Sequence, residues 1–213
     1  MHIRAPAIVC AARPHAEVGV IVRLLTAEHG LIGAYVAGGR GRHLRPVVIP
    51  GNLVEAELHA RAEGRMPSAR VELVASRGPW LSEPLPASAI AWVTALTAST
   101  LPERHAYPAL HAALEAVLDA ICQAPSARGW VPGLLGFEAL LLRELGYGDH
   151  RGGHRNAGDT ASVPDLLAAF DCMGVVLARY PLADRRGDVM ASRALLRERL
   201  ARIQPLNLQD LLP

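Results

Sequence analysis

Within six residues, Arg40-Gly41-Arg42-His43-Leu44-Arg45, the chain gathers three guanidinium groups and an imidazole, directly after Gly38-Gly39. A guanidinium group keeps its charge and can grip a phosphate through two parallel hydrogen bonds. A cationic connection with pliable glycines on its N-terminal side therefore suits a polyanion such as a nucleic-acid backbone. The same residues also suit a solvated hairpin loop whose charge only aids solubility. The stretch alone does not separate the two.

A second group that could do chemistry is His150 and His154, four residues apart, with Asp149 and Asp159 nearby. Histidine and aspartate can complete a zinc site. Here they lie in a glycine-rich polar stretch without the rigid ligand spacing of a helix, and no cysteine is close. A solvated loop is the competing reading, and no metal is expected. Nucleophilic catalysis finds no G-x-S-x-G elbow, and there is neither a lysine-bearing phosphate loop nor a G-x-G-x-x-G. Lysine is absent altogether, which fits a coding bias toward arginine. Cys10, Cys122 and Cys172 are odd in number and far apart, which argues against a disulfide framework and fits a reducing cytosol. No run reaches membrane-span length and the N-terminus has no signal-peptide core, so a soluble intracellular protein is expected.

The formal net charge of +2 hides an asymmetry. Residues 1–78 carry ten arginines against six acids, so +4; residues 79–213 carry twelve against fourteen, so −2. The cations of the first half are headed by Arg4, Arg13, Arg23, Arg40, Arg42 and Arg45, and these are the candidate DNA-binding residues. Tyr35 is the only aromatic residue before Trp80. Binding on such a surface would be dominated by phosphate, tolerant of sequence and sensitive to salt.

The elements that must position these groups change type along the chain. Ala7 to Ala11, Val18 to Leu25, Leu31 to Ala37, Leu53 to Ala60 and Ala69 to Ala75 read as strands, with a shorter strand-like run at Val47 to Ile49. The Thr26–Gly30 loop predicts a hairpin. On the fourth strand Val54, Ala56 and Leu58 share one face; on the fifth, Val71, Leu73 and Ala75 do. About five strands in under 80 residues fit a small barrel. From residue 79 the spacing turns helical: Leu110, Leu114, Val117, Leu118 and Ile121, then Leu134, Phe137, Leu140, Leu141 and Leu145 with Gly146 as a stop, then Leu195, Leu196, Leu200 and Ile203. Ala89 to Ser99 reads as a further helix, and Ser162 with Pro164 predicts a helix entrance. The fold class expected is α+β: an N-terminal small β-barrel of OB type at 1–78, then an all-α domain at 79–213 with a polar loop at 149–159. Trp92, Trp130 and the cysteines read as core. Arg104, Arg128, Arg143, Arg179, Arg186 and Arg193 are candidates to meet an acidic partner, or else ordinary solvated positions.

Several short runs carry a family resemblance. They are Ile8-Val9, Arg13-Pro14-His15-x-Glu17, Leu25-Thr26-x-Glu28-His29-Gly30, Gly38-Gly39-Arg40, Leu44-Arg45-Pro46 and Pro50-Gly51. In this order and spacing they resemble the N-terminal domain of the bacterial recombination mediator RecO family. Phe137-Glu138-x-x-Leu141-Leu142-x-x-Leu145-Gly146-Tyr147-Gly148 resembles the family's central helix, and Arg179-Tyr180 through Ser192-Arg193 and Leu196 its C-terminal end. The resemblance spans about residues 7 to 203.

The resemblance implies an OB-fold followed by helices, and a cytoplasmic, nucleoid-associated protein without enzymatic chemistry or cofactor. It implies binding of single- and double-stranded DNA and annealing of complementary strands. It also implies partnership with RecR and with the acidic C-terminal tail of single-stranded DNA-binding protein, to help load RecA. Many relatives carry a cysteine-rich, often zinc-binding insertion after the Leu-Gly-Tyr-Gly helix. Here only the cysteine-free stretch Asp149 to Asp159 stands there, which reads as a contracted insertion. Leu135 and Gly136 stand where relatives carry a basic residue before Phe-Glu. Arg128 and Arg143 are the candidates to take over the acidic-tail contact, with Arg179 and Arg193 as further partner-binding residues. The alternative function is a protein–protein adaptor whose barrel does not contact DNA.

Overall fold

A computed structural model describes residues 2–60, 62, 64–148, 162–184 and 186–202. Five strands close into a barrel in the order β1-β2-β3-β5-β4: β1 (His2–His15), β2 (Gly19–Thr26), β3 (Gly30–Val36), β4 (Leu53–His59) and β5 (Ser68–Ala75). β1 serves two walls. Its first half pairs with β4, from His2 opposite His59 to Ile8 opposite Leu53, and its second half pairs with β2 out to His15 opposite Gly19. A register shift between Val9 and Ala11 marks the change. A bulge of this kind bends and twists its strand, which is what a strand shared between two walls requires.

The barrel interior is filled by Ala7, Val9, Val22, Leu24, Ile32, Ala34, Val54, Ala56 and Leu58, among others. Ile8, Cys10, Leu25 and Leu31 are also buried, but they belong to the core of the helical region. These strands are covered on both sides, so the sequence shows continuous apolar runs at 7–10, 24–25 and 31–32 where a half-exposed strand would alternate. β5 departs from the expected alternation. Ala69 and Val71 are buried, yet Leu73, on the same face opposite Val54, is 44% exposed, and Val74 is 58% exposed.

The expected strand at Val47 to Ile49 is instead part of a chain of turns. Leu44 N and Arg45 N donate to Gly41 O, and Val47 N and Val48 N donate to Leu44 O. Val48 is buried in the barrel core, and Leu44 and Val47 pack against it. The apolar run is thus a plug at the barrel end, with no neighbouring strand to pair with.

The helical region follows a 3-10 turn at Gly78–Ser82. It comprises α1 (Pro84–Thr100), α2 (Pro108–Gln123), α3 (Val131–Glu144), α4 (Val163–Arg179) and α5 (Arg186–Ala201). α1 is buried on most sides, with Ile90, Trp92, Val93 and Leu96 in the core, because it lies between the barrel and α2 and α5. The predicted stripe of α2 is buried at every position. α3 ends where Gly146 takes φ +82°. There Gly146 N donates to Arg143 O and Tyr147 N to Leu142 O, the bonds of a glycine-terminated helix. α4 begins with a reciprocal cap between Ser162 and Asp165, and Pro164 lies in its first turn. On α5, Leu196 and Leu200 are buried while Leu195 is 43% exposed. Ile203 and the 149–159 stretch, including His150 and His154, lie outside the described residues.

Barrel and helices meet at a polar joint. Arg77, 4% exposed, donates to Gly51 O at 2.6 Å and to Asp119 on α2 at 2.6 Å. Gly51 is held at φ +95°, and a Cβ there would stand 2.7 Å from Ile90 Cγ2. The cysteines differ sharply in environment. Burial pushes the Cys10 thiol up to about 12, whereas Cys172 is exposed. The thiolate is the reactive form. Iodoacetamide at neutral pH is therefore expected to label Cys172 and to spare Cys10 until the protein is unfolded, as read by peptide mass spectrometry.

Candidate nucleic-acid interface

Past the bulge, cross-strand pairing fixes which side chains share the outer face of β1, β2 and β3. Arg13 stands opposite Ile21 and Ile21 opposite Tyr35, so these three form one row. His15 stands opposite Gly19 in the next row. The Tyr35 ring lies across Gly19: a Cβ there would fall 2.3 Å from Tyr35 Cε2, so a larger residue would push the ring aside. The His15 ring meets Tyr35 edge-on with centroids 6.0 Å apart. Arg13 and His15 are exposed, while Ile21 and Tyr35 are half-buried. Between β1 and α1, beside Arg13, runs a mainly apolar groove of about 420 Å³ lined by Ala12, Ile49, Pro50, Thr94 and Ala98 among others.

The basic turn is fastened to this wall. Arg40 N donates to Val18 O at 3.1 Å, and Arg40 Nη1 donates to Glu17 O at 2.9 Å. Both acceptors lie in the β1–β2 connection. Backbone carbonyls hold the Arg40 side chain without neutralising it. Arg42 and Arg45 are exposed, and Arg42 Nε reaches the His43 ring at 3.3 Å. Asn52 secures the far end: its side chain donates to Pro46 O at 2.8 Å and Val47 O at 3.1 Å, and it accepts from Arg77 N at 2.8 Å. A stretch expected to be pliable is therefore a hydrogen-bonded series of turns.

The remaining two candidates lie elsewhere. Arg23 points from the same wall into the joint with the helices, donating to Ala98 O and pairing with Glu103 at 3.2 Å. Arg4 is on the opposite wall, paired with Glu55 at 3.0 Å, which holds its guanidinium pKa above the ordinary value. That wall, built by β4, β5 and the first half of β1, also carries Glu57, Arg70 and Glu72 facing outward, so its charge is compensated. The barrel thus has one wall with exposed cations and one on which charges of both signs are mixed. The sequence does not give this division directly, because the bulge reverses the parity along β1.

The four partner-binding candidates do not form one patch. Arg128 is exposed just before α3, and Arg143 lies in the last turn of α3. Fifteen residues at ~1.5 Å rise place them roughly 20 Å apart. Arg143 also pairs with Glu144 at 3.3 Å. Arg179, in the last turn of α4, lies 5.5 Å from the Tyr180 ring centroid, and Tyr180 packs on Tyr147, which follows Arg143 by four residues. Arg193 is a correction. It is 4% exposed and sits inside the helical core, paired with Glu138 at 3.1 Å, donating to Phe170 O at 2.7 Å and lying 3.6 Å from the Phe170 ring centroid. A guanidinium engaged on all these groups is not offered to a partner.

Comparison with known proteins bears on this architecture. Residues 1–77 match the family model described as recombination protein O N terminal, and residues 82–149 match that described as recombination protein O C terminal. The chain belongs to the RecO family. The first RecO model ends within two residues of β5, so it coincides with the barrel. The DNA repair protein RecO of Phenylobacterium zucineum (strain HLK1) is 40% identical over 150 residues, covering 70% of this chain and 60% of that protein. The RecO of Rhodospirillum rubrum is 41% identical over 144 residues, 66% of this chain and 57% of its own length. That of Caulobacter vibrioides (strain NA1000 / CB15N) is 37% identical over 144 residues, covering 67% and 58%. The chain therefore spans about three-fifths of the length of the curated RecO relatives it matches. Among the described residues, no helix is long and apolar enough to cross a membrane.

Proposed function

We propose that this protein acts as its RecO relatives are named to act, in DNA repair and recombination, and that it does so without bond-making chemistry. The barrel holds the DNA backbone through Arg13, Arg40, Arg42 and Arg45. The observation that carries this reading is the placement of exposed guanidinium groups on one wall and its adjoining turn, while the opposite wall is charge-compensated. Phosphate contacts of this kind serve single and double strands alike. Annealing follows physically when the phosphates of two strands are screened and their bases stay free to pair. On this reading the cytoplasmic partners are RecR and the acidic tail of single-stranded DNA-binding protein, with RecA loaded indirectly. The tail would meet Arg143 and Arg179 beside Tyr147 and Tyr180, or Arg128 before α3.

Fluorescence anisotropy with a labelled single-stranded oligonucleotide at several salt concentrations tests the reading. At ~0.7 counterions per phosphate contact on single strands, Arg40→Ala/Arg42→Ala/Arg45→Ala is expected to flatten the slope of log K against log salt by about 2. An unchanged affinity and slope would remove the turn from the interface. The adaptor reading draws on the exposed Leu73 and Val74 of β5. It predicts no salt-dependent oligonucleotide binding by the unaltered protein.

A further inference from the structure

The compensated wall of the barrel holds a group of side chains with a different chemistry. His2 on β1 stands directly opposite His59 on β4, and Glu57 lies two residues from His59 on the same face. Two ligands at i and i+2 on one strand and a third on its antiparallel neighbour put three donors on one side of a sheet, because side chains alternate with period two. Their donor atoms converge here. His2 Nε2 is 3.2 Å and His59 Nε2 is 3.0 Å from the same oxygen, Glu57 Oε1, and all three atoms lie within 4.8 Å of one another.

We propose that His2, Glu57 and His59 form a Zn²⁺-binding site on the outer wall of the barrel. Imidazole and carboxylate are a donor set suited to this ion, with bonds of ~2.0–2.2 Å. Neighbouring donors around such an ion are about 3 Å apart, and both N–O edges already have that length. The two imidazole planes are 13° from parallel with centroids 4.3 Å apart, so the rings already lie side by side on the Glu57 face, and ion binding would require both to turn about χ2. Both histidines are exposed and Glu57 is half-buried, so the rotation meets no packed core. Arg4 does not compete for Glu57, because its hydrogen bond goes to Glu55. The ion would have three protein ligands and an open position for water. It would clip the first residues of β1 to β4, adding to the strand ladder and to the Arg4–Glu55 pair across the same seam.

The test uses the full chain carrying His150→Ala and His154→Ala, since those histidines offer separate donors. Zinc chloride is titrated calorimetrically, and melting is followed with and without the ion. This background protein is expected to bind one Zn²⁺ and to melt at a temperature that rises with zinc concentration, as binding to the folded state requires. Adding Glu57→Gln or His59→Ala should abolish both effects. Because these positions are on the surface, melting without zinc should stay close to that of the background. The proposal fails if the background binds no zinc, or if both variants bind it as tightly as the background does. The second result would leave the three residues as a surface hydrogen-bonded cluster only.

Discussion

Glu138→Ala is expected to destabilise the helical region by about 3–5 kcal/mol, the usual cost of breaking a buried ion pair by removing one partner. Glu138 is fully buried on α3 and accepts from Trp92 Nε1 at 2.7 Å and from Arg193 Nη2 at 3.1 Å. Burial pushes its carboxyl pKa up, and the Arg193 charge beside it opposes that shift. One carboxylate thereby ties together α1, α3 and α5, and Arg193 extends the tie to α4 through Phe170 O. Room for the guanidinium comes from Gly174, where a Cβ would stand 2.3 Å from Arg193 Nη1. The alanine variant leaves that charge in an apolar core with no counter-ion, and the Trp92 indole without its acceptor. Urea denaturation followed by Trp fluorescence measures the loss. Replacing both partners, Glu138→Leu with Arg193→Met, should cost less than Glu138→Ala alone, because no uncompensated charge then remains. If the single and double variants lose equal stability, the pair is not what holds these helices.

Gly30→Ala is the second large effect, and it acts at the joint between barrel and helices. Gly30 closes the β2–β3 hairpin at φ +68°, where a Cβ would lie 2.0 Å from His105 O and 2.5 Å from its carbonyl carbon. Both nearest atoms are backbone, so no side-chain rotation relieves the contact. The left-handed conformation costs an L-residue about 1–2 kcal/mol, and displacing packed atoms adds ~1–3 kcal/mol. The neighbouring contacts would shift as well: Leu31 bridges Glu103, and Arg104 N donates to Leu31 O at 2.9 Å. Gly38 provides the control. It has the same φ of +68°, but its Cβ would meet nothing within 4 Å. Thermal melts of Gly30→Ala and Gly38→Ala should differ by the steric part alone. Equal melting temperatures would mean that the 105 segment yields freely.

The helical periodicities at 110–121 and 134–145 were readable because each helix buries one face and the apolar residues mark it. The β2–β3 hairpin was readable from its loop length and glycine. The full extent of β1 was not, because Arg4, Pro14 and the bulge break its pattern, and residues 7–10 are buried on both sides. Leu73 keeps its place opposite Val54 yet is 44% exposed, because alternation assigns a face and does not say whether that face is covered. At the candidate interface the charge of the turn was plain, but its attachment runs through backbone carbonyls at 16–18 that no side-chain pattern records. Arg193 reads as surface because a single arginine on a charged helix carries no mark of burial. A contrary signal was present. Glu138 falls among Leu134, Phe137, Leu141 and Leu142 at helical spacing, and a carboxylate on a buried face calls for a buried cation. The Phe137-Glu138 and Ser192-Arg193 fragments of the family resemblance turn out to hold the two halves of one ion pair.

Asn52 has a mechanical consequence. One amide group spans the end of the cationic turn at Pro46 and Val47 and the entry to the helices at Arg77. Sliding the turn relative to the helical region would break at least one of these bonds inside the protein, where water is not at hand to replace it. The turn therefore behaves as a preset jaw rather than a searching arm. It gives up little freedom when it closes on anything, and its grip depends on how stiffly the joint behind it is held.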